Sequence, residues 1–388
     1  MPTSSGPNTA AESNIIFSYD TRDVTNSYRG EPTTNLYTTL GFSFYQAEGG
    51  HSATRTTGAA PGLNLPTNYD YHTITTTSSW ETESKRLIIW PNNSLSSSTT
   101  YYVSFWARVI SQPTAQIGSA FYGRGLENTL TLTSQWQRFS FSSLTHPSFR
   151  ALEVGSKDGA LIFQIAGIQI ESKSHVTPYI NGTRSATEGL VPLIGNTSIN
   201  LSNISFNSAA QITYDGTDDH IDLGSLGTIG TTYSIECVFN SSNVVNYRNV
   251  FDMNYATYSG VTGNVGPRLE QYSDGTITVI WSGVTNNNSI AVNTPVIPIS
   301  ANTNYHMAFT QDGNKGLIYL NGAYKSQNSN TYGYVQTFGD ANLGRGFELA
   351  GDRYYAGSLP LFKIYNVALS AEQIKQNYNQ YKTRFNLS

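Results

Sequence analysis

The chain has 388 residues and a formal net charge of −4, and only 12% of its residues are charged. That is about half of the usual charged fraction, and Ser, Thr, Asn and Gly make up the difference. No Lys/Arg cluster is present, which argues against a nucleic-acid-binding groove. No run approaches the roughly 18 apolar residues of a spanning helix, and the first residues lack the pattern of a signal peptide. The single Cys237 excludes an intrachain disulfide.

Residues 1–35 begin with a segment rich in Pro, Ser, Thr and Gly, followed by a short strand pattern at Asn14 to Tyr19. Gly30 and Pro32 then indicate a loop. We predict an N-terminal arm over 1–35. It either docks on a neighbouring subunit or packs on its own domain.

Residues 36–185 show short β patterns separated by Gly, Pro, Asn and Ser, which predicts a sandwich or jelly roll. In the strand at Thr100 to Ile110, Val103, Phe105 and Ala107 share one face, and Trp106 and Arg108 share the other. Residues 186–205 show only Gly, Pro and Asn breaks and are predicted to be a linker.

Three stretches of this first β region carry a family resemblance: SSSTTYYVSFWARV (96–109), LTLTSQWQRFSFSS (130–143) and LIFQIAGIQIESKSHVTPYINGTRS (161–185). Their order and spacing resemble a jelly roll of the carbohydrate-binding-module type, in a version that phage structural proteins often carry. RGEPTTNLY (29–37) is similar to a segment of phage structural proteins, especially those of marine phages.

Residues 206–388 form a second β region with three further motifs: AQITYDGTDDHIDLGS (210–225), NTNYHMAFTQDGNKGLIYLNGAYKS (302–326) and FGDANLGRGFELAGDRYYAGSLPLFKIYNVALSAEQI (338–374). Together they resemble the laminin-G-like, concanavalin A-like lectin sandwich. The resemblance implies that the first and last strands pair, with Ile212 to Leu223 beside Leu359 to Tyr365.

The end of this region predicts a strand, a turn and a helix. Alternation places Leu359, Leu361, Lys363 and Tyr365 on one face of the strand and Pro360, Phe362, Ile364 and Asn366 on the other. Ser370 to Gln373 has the form of a capping box, and an apolar face follows at helical spacing. The predicted fold class is therefore all-β: two β-sandwich (jelly-roll) domains in tandem, at 36–185 and 206–388, with one short C-terminal helix.

Carboxylates offer one candidate site. Asp218 and Asp219 follow the first strand of the second region, and their oxygens suit Ca²⁺; the alternative is a turn whose Asp side chains accept backbone N–H groups. Many members of the lectin family have an acidic pair where this chain has Pro360 and Leu361, which weakens the Ca²⁺ interpretation. No other cofactor is predicted. The Glu-x-Asp-x-x-Glu pattern of glycan-hydrolysing sandwiches is absent.

Aromatic and polar side chains offer candidate glycan sites, because a sugar ring stacks on an aromatic ring while its hydroxyls bond polar groups. One set comprises Trp106 and Arg108, with Trp80, Trp90, Tyr122 and Arg124. The other comprises Trp281, Arg345, Arg353 and Tyr354, with Tyr255 and Tyr258. For any single aromatic residue, packing in a core is the alternative.

The resemblances and the missing catalytic pattern predict a non-enzymatic phage virion structural protein: a tail fibre, head fibre or capsid decoration protein. Its expected location is the virion, after assembly in the host bacterial cytoplasm. Its expected partners are other virion proteins, through the N-terminal arm, and further copies of itself in a homo-oligomer. The alternative is a glycan-binding host-recognition protein, and a polysaccharide-degrading enzyme is the third class. Neither nucleic acid nor membrane insertion is expected.

Overall fold

A computed structural model describes residues 12–37, 44–46, 52–65, 69–77, 87–89, 95–121, 127–148, 151–245, 247–253, 267–285, 288–293, 297–313, 315–329, 336–346 and 353–387. Two compact units are present. The first consists of residues 1–31, 186–207 and 211–388, and the second of residues 32–185 and 208–210. The predicted domain boundaries remain a prediction, but the described parts of the predicted arm up to residue 31, and all of the predicted linker, lie within the first unit.

The described elements begin with a 3₁₀ turn at Glu12–Asn14. The strands that precede residue 186 are β1 (Ile15–Asp20), β2 (Thr33–Thr34), β3 (Phe44–Gln46), β4 (Ser52–Thr57), β5 (Asp70–Thr77), β6 (Leu87–Ile89), β7 (Thr100–Val109), β8 (Thr114–Phe121), β9 (Asn128–Thr133), β10 (Gln137–Leu144), β11 (Leu152–Ser156), β12 (Ala160–Glu171) and β13 (Thr183–Arg184).

The later strands are β14 (Ser205–Phe206), β15 (Ile212–Asp215), β16 (Ile221–Gly224), β17 (Gly227–Gly230), β18 (Thr232–Ser241), β19 (Arg248–Asp252), β20 (Arg268–Gln271), β21 (Thr276–Thr285), β22 (Asn288–Asn293), β23 (Ile297–Pro298), β24 (Asn304–Asp312), β25 (Lys315–Leu320), β26 (Ala323–Ser329), β27 (Gln336–Phe338), β28 (Ala341–Leu343), β29 (Arg345–Gly346), β30 (Arg353–Tyr354) and β31 (Ala356–Tyr365). A helix, α1 (Ala371–Arg384), follows. The all-β fold class with a C-terminal helix is confirmed.

The second unit is built from two antiparallel sheets. In its described residues their strand orders are β10-β7-β12-β5-β4 and β3-β6-β11-β8-β9. Val103, Phe105 and Ala107 are fully buried in the shared core, as the alternation predicts. Apolar residues on alternate positions face the other sheet, so burial of one face holds the two layers together.

Two of the resembling segments meet in this unit. Asn35 donates from Nδ2 to the carbonyls of Ile168 and Ile180, each at 3.0 Å, and its Oδ1 accepts from the Ile170 N–H. The Thr33 hydroxyl donates to Glu171 at 2.9 Å. The RGEPTTNLY and QIES…VTPYI segments are thus parts of one hydrogen-bonded structure, because the buried Asn35 side chain satisfies backbone groups around the second segment and Thr33 bonds the Glu171 side chain.

The first unit is a sandwich of two larger sheets. Over the described residues, one has the order β14-β15-β31-β18-β24-β25-β26, with β1 also on β31; the other has the order β16-β28-β19-β20-β21-β22, with β23 also on β21. Ile235 and Phe362 from one sheet share a core with Leu269 and Leu343 from the other. Leu201, in the predicted linker, lies in the same core.

The neighbour of the last strand differs from the prediction. Only Tyr214 and Asp215 of β15 pair with β31, opposite Gly357 and Ala356. The stretch from Leu361 to Tyr365 lies beside β1 instead. The family-based expectation for 359–365 is therefore wrong: β1 brings two buried aromatic rings, Phe17 and Tyr19, against Phe362 and occupies that edge.

The face of Leu359 also differs from the prediction. Asn240 of β18 pairs with Ser358 while Val238 pairs with Leu361, so β31 has one extra residue at this point. Such a β-bulge reverses the alternation. Leu359 therefore lies in the sandwich core with Phe362, whereas Leu361 faces α1.

The local signals around the helix are confirmed. Ser370 caps α1 by accepting from the Gln373 N–H, and the Gln373 side chain accepts from the Ser370 N–H, which completes the capping box. The sequence Asn321-Gly322 is itself a strong hairpin-turn signal, and both residues have the positive φ that such a turn requires, +52° and +70°. α1 buries Ile374, Tyr378 and Tyr381, and its C-cap residue Phe385 is also buried.

Candidate functional site

The acidic turn between β15 and β16 contains three carboxylates. In the described part of the chain, Asp215, Asp218 and Asp219 each offer an oxygen, and these oxygens lie within 4.8 Å of one another. The structure thus adds Asp215 to the predicted pair. The sequence held this residue in the YDGTDD motif, but only the turn geometry brings it to the other two.

Backbone groups already use two of these carboxylates. Asp215 Oδ1 accepts from the Thr217 N–H at 2.7 Å, and Asp219 Oδ2 accepts from the Asp215 N–H at 2.7 Å. Burial raises the pKa of Asp219. Burial also acts to raise the pKa of Asp215. The hydrogen bonds that Asp215 accepts from backbone N–H groups outweigh burial, so the pKa of Asp215 is lowered. The oxygen chemistry fits Ca²⁺, yet three carboxylates supply fewer than the roughly six to eight ligands that Ca²⁺ takes. A Ca²⁺ ion at Asp218 and Asp219 remains a prediction.

A buried ion pair lies in the first unit, on the sheet that contains β19, β20 and β21. Glu270 on β20 is 1% exposed, and its Oε2 accepts from Arg353 Nη1 at 2.5 Å. Arg268 Nε is 3.4 Å from the same oxygen. Charges this far from water are retained only when they are paired and hydrogen-bonded. Arg353, a predicted site residue, is therefore held in one position by Glu270.

An exposed aromatic ring covers this ion pair. The Tyr247 ring centroid is 4.5 Å from the Arg353 guanidinium carbon and 5.8 Å from the Tyr272 ring, edge to face. Tyr247 is 46% exposed and has φ +56°. A bulky residue in that conformation is uncommon and is kept only where the surroundings impose it.

The loop that carries Tyr247 is tied to the same strand as Glu270. Gln271 Nε2 donates to the Asn243 carbonyl at 2.9 Å, and Ser241 Oγ donates to Gln271 Oε1 at 2.8 Å. Burial and then the hydrogen bond to Glu270 raise the pKa of Tyr272. We call Tyr247, Tyr272, Arg353 and Glu270 the Tyr247 surface: an exposed ring on a fixed, charged base.

The other predicted residues of this set have mixed positions. Arg345 lies opposite Tyr354 on the β29–β30 pair, and its Nη2 donates to Asn342 at 2.7 Å. Tyr354 is half-buried, with its ring centroid 6.0 Å from that of His220. Trp281 lies on β21 and its side chain is not described. Tyr255 and Tyr258 lie outside the described residues.

Sequence reasoning missed Tyr247, Tyr272 and Glu270. Tyr247 and Arg353 are 106 positions apart, and no local pattern marks such a contact. The one available signal was the two-residue spacing of Glu270 and Tyr272, which would place both side chains on one face of an extended segment; in the structure Tyr272 directly follows the end of β20.

In the second unit, Trp106 and Arg108 form a ladder with two residues that the prediction did not include. Arg138 lies over the Trp106 ring at 4.8 Å, and Arg108 lies over the Trp136 ring at 4.7 Å. Arg108 Nε also donates to Gln164 at 2.9 Å. These are cation–π pairs on the outer face of the sheet.

This ladder is partly covered. Trp136 Nε1 donates to the Pro61 carbonyl at 3.0 Å, and Leu63 and Leu65 join Trp106 in a small apolar cluster. Both Trp rings therefore act in packing. Trp80, Trp90, Tyr122 and Arg124, predicted to complete the patch, lie outside the described residues.

A second buried carboxylate lies under α1. Glu236 Oε1 is 2.8 Å from His306 Nε2, and its Oε2 accepts from the Tyr365 hydroxyl at 2.9 Å and from Asn377 Nδ2 at 3.0 Å. Glu236 and His306 are 0% exposed. Burial acts to raise the pKa of Glu236, but His306 above all outweighs it and the pKa is lowered. A network with no solvent access joins α1 to the sheet and offers no site for a ligand.

Comparison with known proteins places the first unit in context. Residues 215–375 match the family model described as the concanavalin A-like lectin/glucanases superfamily. A search of the curated proteins finds no match. In the described part of the chain, no helix combines the length and the apolar content needed to cross a bilayer.

Several solved structures are similar. A heptameric SAP-like pentraxin from Limulus polyphemus has 16% identity and a TM-score of 0.33, over 42% of this chain and 78% of that chain. The receptor binding domain of botulinum neurotoxin D has 16% identity and a TM-score of 0.40, over 52% of each chain. The botulinum neurotoxin serotype D ligand binding domain in complex with N-acetylneuraminic acid has 18% identity and a TM-score of 0.40, over 51% of this chain and 49% of that chain. This chain thus spans about half the length of the neurotoxin chains. Residues 215–375, about two fifths of the chain, are thus similar to concanavalin A-like lectin domains.

Proposed function

We propose that this protein binds a glycan through its lectin-type module, has no enzymatic activity, and serves as a structural protein exposed on a phage particle. The observation that carries the glycan-binding part is the Tyr247 surface. An exposed ring lies over an arginine that a buried carboxylate fixes in place.

The chemistry of this surface suits a sugar. One face of a pyranose ring is apolar and stacks on an aromatic side chain, while its hydroxyls bond nearby polar groups. The buried Glu270–Arg353 pair limits the motion of the base, so little conformational freedom is lost on binding. Arg353 shares Glu270 with Arg268, so the base keeps a net positive charge and suits the hydroxyls or an acidic group of a sugar.

A glycan array probed with the full chain tests this proposal. Tyr247→Ala is expected to weaken binding about tenfold or more, since a tenfold change corresponds to about 1.4 kcal/mol, in the range of one stacking contact. Tyr324→Ala is the matched control, because Tyr324 is also a tyrosine of the first unit and has a similar exposed fraction, 50% against 46% for Tyr247. A silent array for the unaltered protein, or equal loss in both variants, would contradict the role of this surface.

The phage setting is supported by the resemblance of 29–37 and 96–185 to phage structural proteins. The hydrogen bonds of Asn35 and Thr33 add support, because they make two resembling segments part of one structure. Immunogold labelling of purified phage particles with antibodies against this chain tests the setting. Label confined to debris and absent from particles would contradict it.

Attachment to other virion proteins through the N-terminal arm is part of the proposal. β1 lies in the core of the first unit, so deletion of 1–35 would remove a packed strand. Deletion of residues 1–11 is the better test, since β1 remains. We expect this variant to fold and to be lost from particles; normal occupancy would contradict the arm's role. Sedimentation of the purified chain tests the proposed homo-oligomer.

The absence of enzymatic activity is tested with host envelope polysaccharide. Release of oligosaccharide by the pure protein would contradict the proposal.

A further inference from the structure

A cavity of about 370 Å³ lies in the first unit beside the C-terminal end of α1. Its volume falls within the roughly 300–1,000 Å³ of small-molecule sites. Thr213, Asn240, Asn304, Ser358 and Arg22 contribute polar groups to its lining. None of the four residues of the Tyr247 surface lines it, so it is a separate feature.

The bulge in β31 forms one wall. Gly357 has φ +152°, and a Cβ there would lie 2.0 Å from the Asn240 carbonyl oxygen, so only glycine permits this approach. On the other side of the bulge, the Pro360 carbonyl accepts from the Thr21 N–H at 2.8 Å. Backbone contacts at both ends keep this wall in place without a ligand.

A chain of side-chain amides lies beside this wall. Asn240 Nδ2 donates to Asn304 Oδ1 at 2.8 Å, and Asn304 Nδ2 donates to the Phe385 carbonyl at 2.9 Å. Each side-chain amide has two donor hydrogens and an acceptor oxygen with two lone pairs. The bonds named here use only part of that capacity, and both side chains are half-buried at the cavity.

The charge of the lining narrows the ligand class. Arg22 is the charged residue among those that line the cavity, and neither Asp nor Glu lines it. Arg22 is held at the rim, where its Nη1 donates to the Arg384 carbonyl at 2.9 Å and its guanidinium lies over Phe385 at 5.5 Å. Without carboxylates the cavity does not suit a metal ion or a basic peptide. Because the guanidinium of Arg22 is engaged by the Arg384 carbonyl and the Phe385 ring, the ligand is left to the amides and hydroxyls, which both donate and accept and suit the paired hydroxyls of a neutral sugar.

We propose that this cavity binds one neutral, hydroxyl-rich sugar ring, with Asn240 and Asn304 as its main hydrogen-bonding residues. The inference rests on the proposed glycan binding and assigns a second subsite to it. Five residue steps of the chain separate Ser242, which lines the cavity, from Tyr247. Five residue steps span at most about 18 Å, so one oligosaccharide can reach both.

Two measurements on the full chain test the proposal. In the first, Thr213→Trp fills the cavity, and Thr228→Trp is the matched control on an exposed strand of the same unit. On an array of neutral oligosaccharides, we expect Thr213→Trp to weaken binding about tenfold and Thr228→Trp to leave it unchanged. Far-ultraviolet circular dichroism checks that both variants are folded.

The second measurement does not depend on the array. Side-chain amide NMR signals of Asn240 and Asn304, assigned with Asn240→Asp and Asn304→Asp, are followed while galactose, glucose and N-acetylglucosamine are added. We expect these signals to shift in the unaltered protein and not in Thr213→Trp. If they stay in place and the array signal survives Thr213→Trp, the cavity proposal is overturned. Loss of array binding in Tyr247→Ala would in that case leave the proposed function standing. If the amide signals shift, sugar binding in the cavity is supported. If the array signal is at the same time unchanged in Tyr247→Ala, the proposed role of the Tyr247 surface is overturned.

Discussion

Glu236 and Glu270 are buried carboxylates of the same unit, exposed by 0% and 1%, and each is paired with a nitrogen base. They differ in what lies above them. Glu236 is bonded by Asn377 of α1, and its partner His306 lies against Tyr378 and Tyr381 of the same helix, whereas Arg353, a partner of Glu270, supports the exposed residue Tyr247. Buried charge therefore has two uses in this fold: one network joins a helix to a sheet, and the other fixes the base of a surface. Burial and pairing alone do not distinguish them.

The largest expected effect comes from Glu236→Ala. It leaves the Tyr365 hydroxyl, the Asn377 amide and His306 without their shared acceptor in a site that water does not reach. Breaking one side of a buried pair costs about 3–5 kcal/mol, so urea unfolding at neutral pH should show a loss of that size. Glu127→Ala, at an exposed carboxylate of the second unit, is the control. Unfolding like that of the unaltered protein would mean that the network does not stabilise the helix.

Glu270→Gln should have a smaller effect on stability and a larger one on binding. The amide keeps the shape but removes the counter-charge of Arg353 and Arg268, which costs about 1.5–3 kcal/mol. Glycan binding should fall about tenfold, because the base under Tyr247 is no longer fixed. Glu236→Gln is the matched variant and should leave glycan binding unchanged. Equal binding losses in the two variants would remove the distinction between these carboxylates.

The pH dependence of stability should separate Glu236 from the buried Asp20. The folded-state pKa of Glu236 is lowered, so its contribution is present above the ordinary Glu value of about 4.3 and is lost as pH falls through the folded pKa. Burial raises the pKa of Asp20, which gives the opposite sign. Unfolding free energies between about pH 7 and about pH 3 should therefore fall less in Glu236→Gln than in the unaltered protein. For Asp20→Asn they should fall more, and parallel curves for all three proteins would contradict this reading.

The smallest expected effect is that of Ser370→Ala at the start of the helix that covers Glu236. Loss of the capping box should cost about 1 kcal/mol and leave glycan binding unchanged. Thermal unfolding of this variant beside Ser225→Ala, at a serine in a loop, measures it. A loss as large as that of Glu236→Ala would place most of the helix stability in the cap and not in the buried network.

Local features of the fold could be predicted because their causes are local. The capping box needs only Ser370 and Gln373, the hairpin turn needs only Asn321 and Gly322, and the buried face of β7 follows from alternation. The bulge at Leu359 could not be predicted in this way, because it depends on the register between β31 and β18.

Strand periodicity, turn residues and motif order lie along the chain, so the all-β class, the resemblance of the second region to lectins and the C-terminal helix could all be predicted from the sequence. Which charged side chains meet depends on the tertiary fold. Arg353 reaches Glu270 and Tyr247, and β1 reaches β31, across 83, 106 and more than 300 positions. Partners of that kind are chosen by register and by the burial of whole faces, and neither is contained in a short stretch of residues.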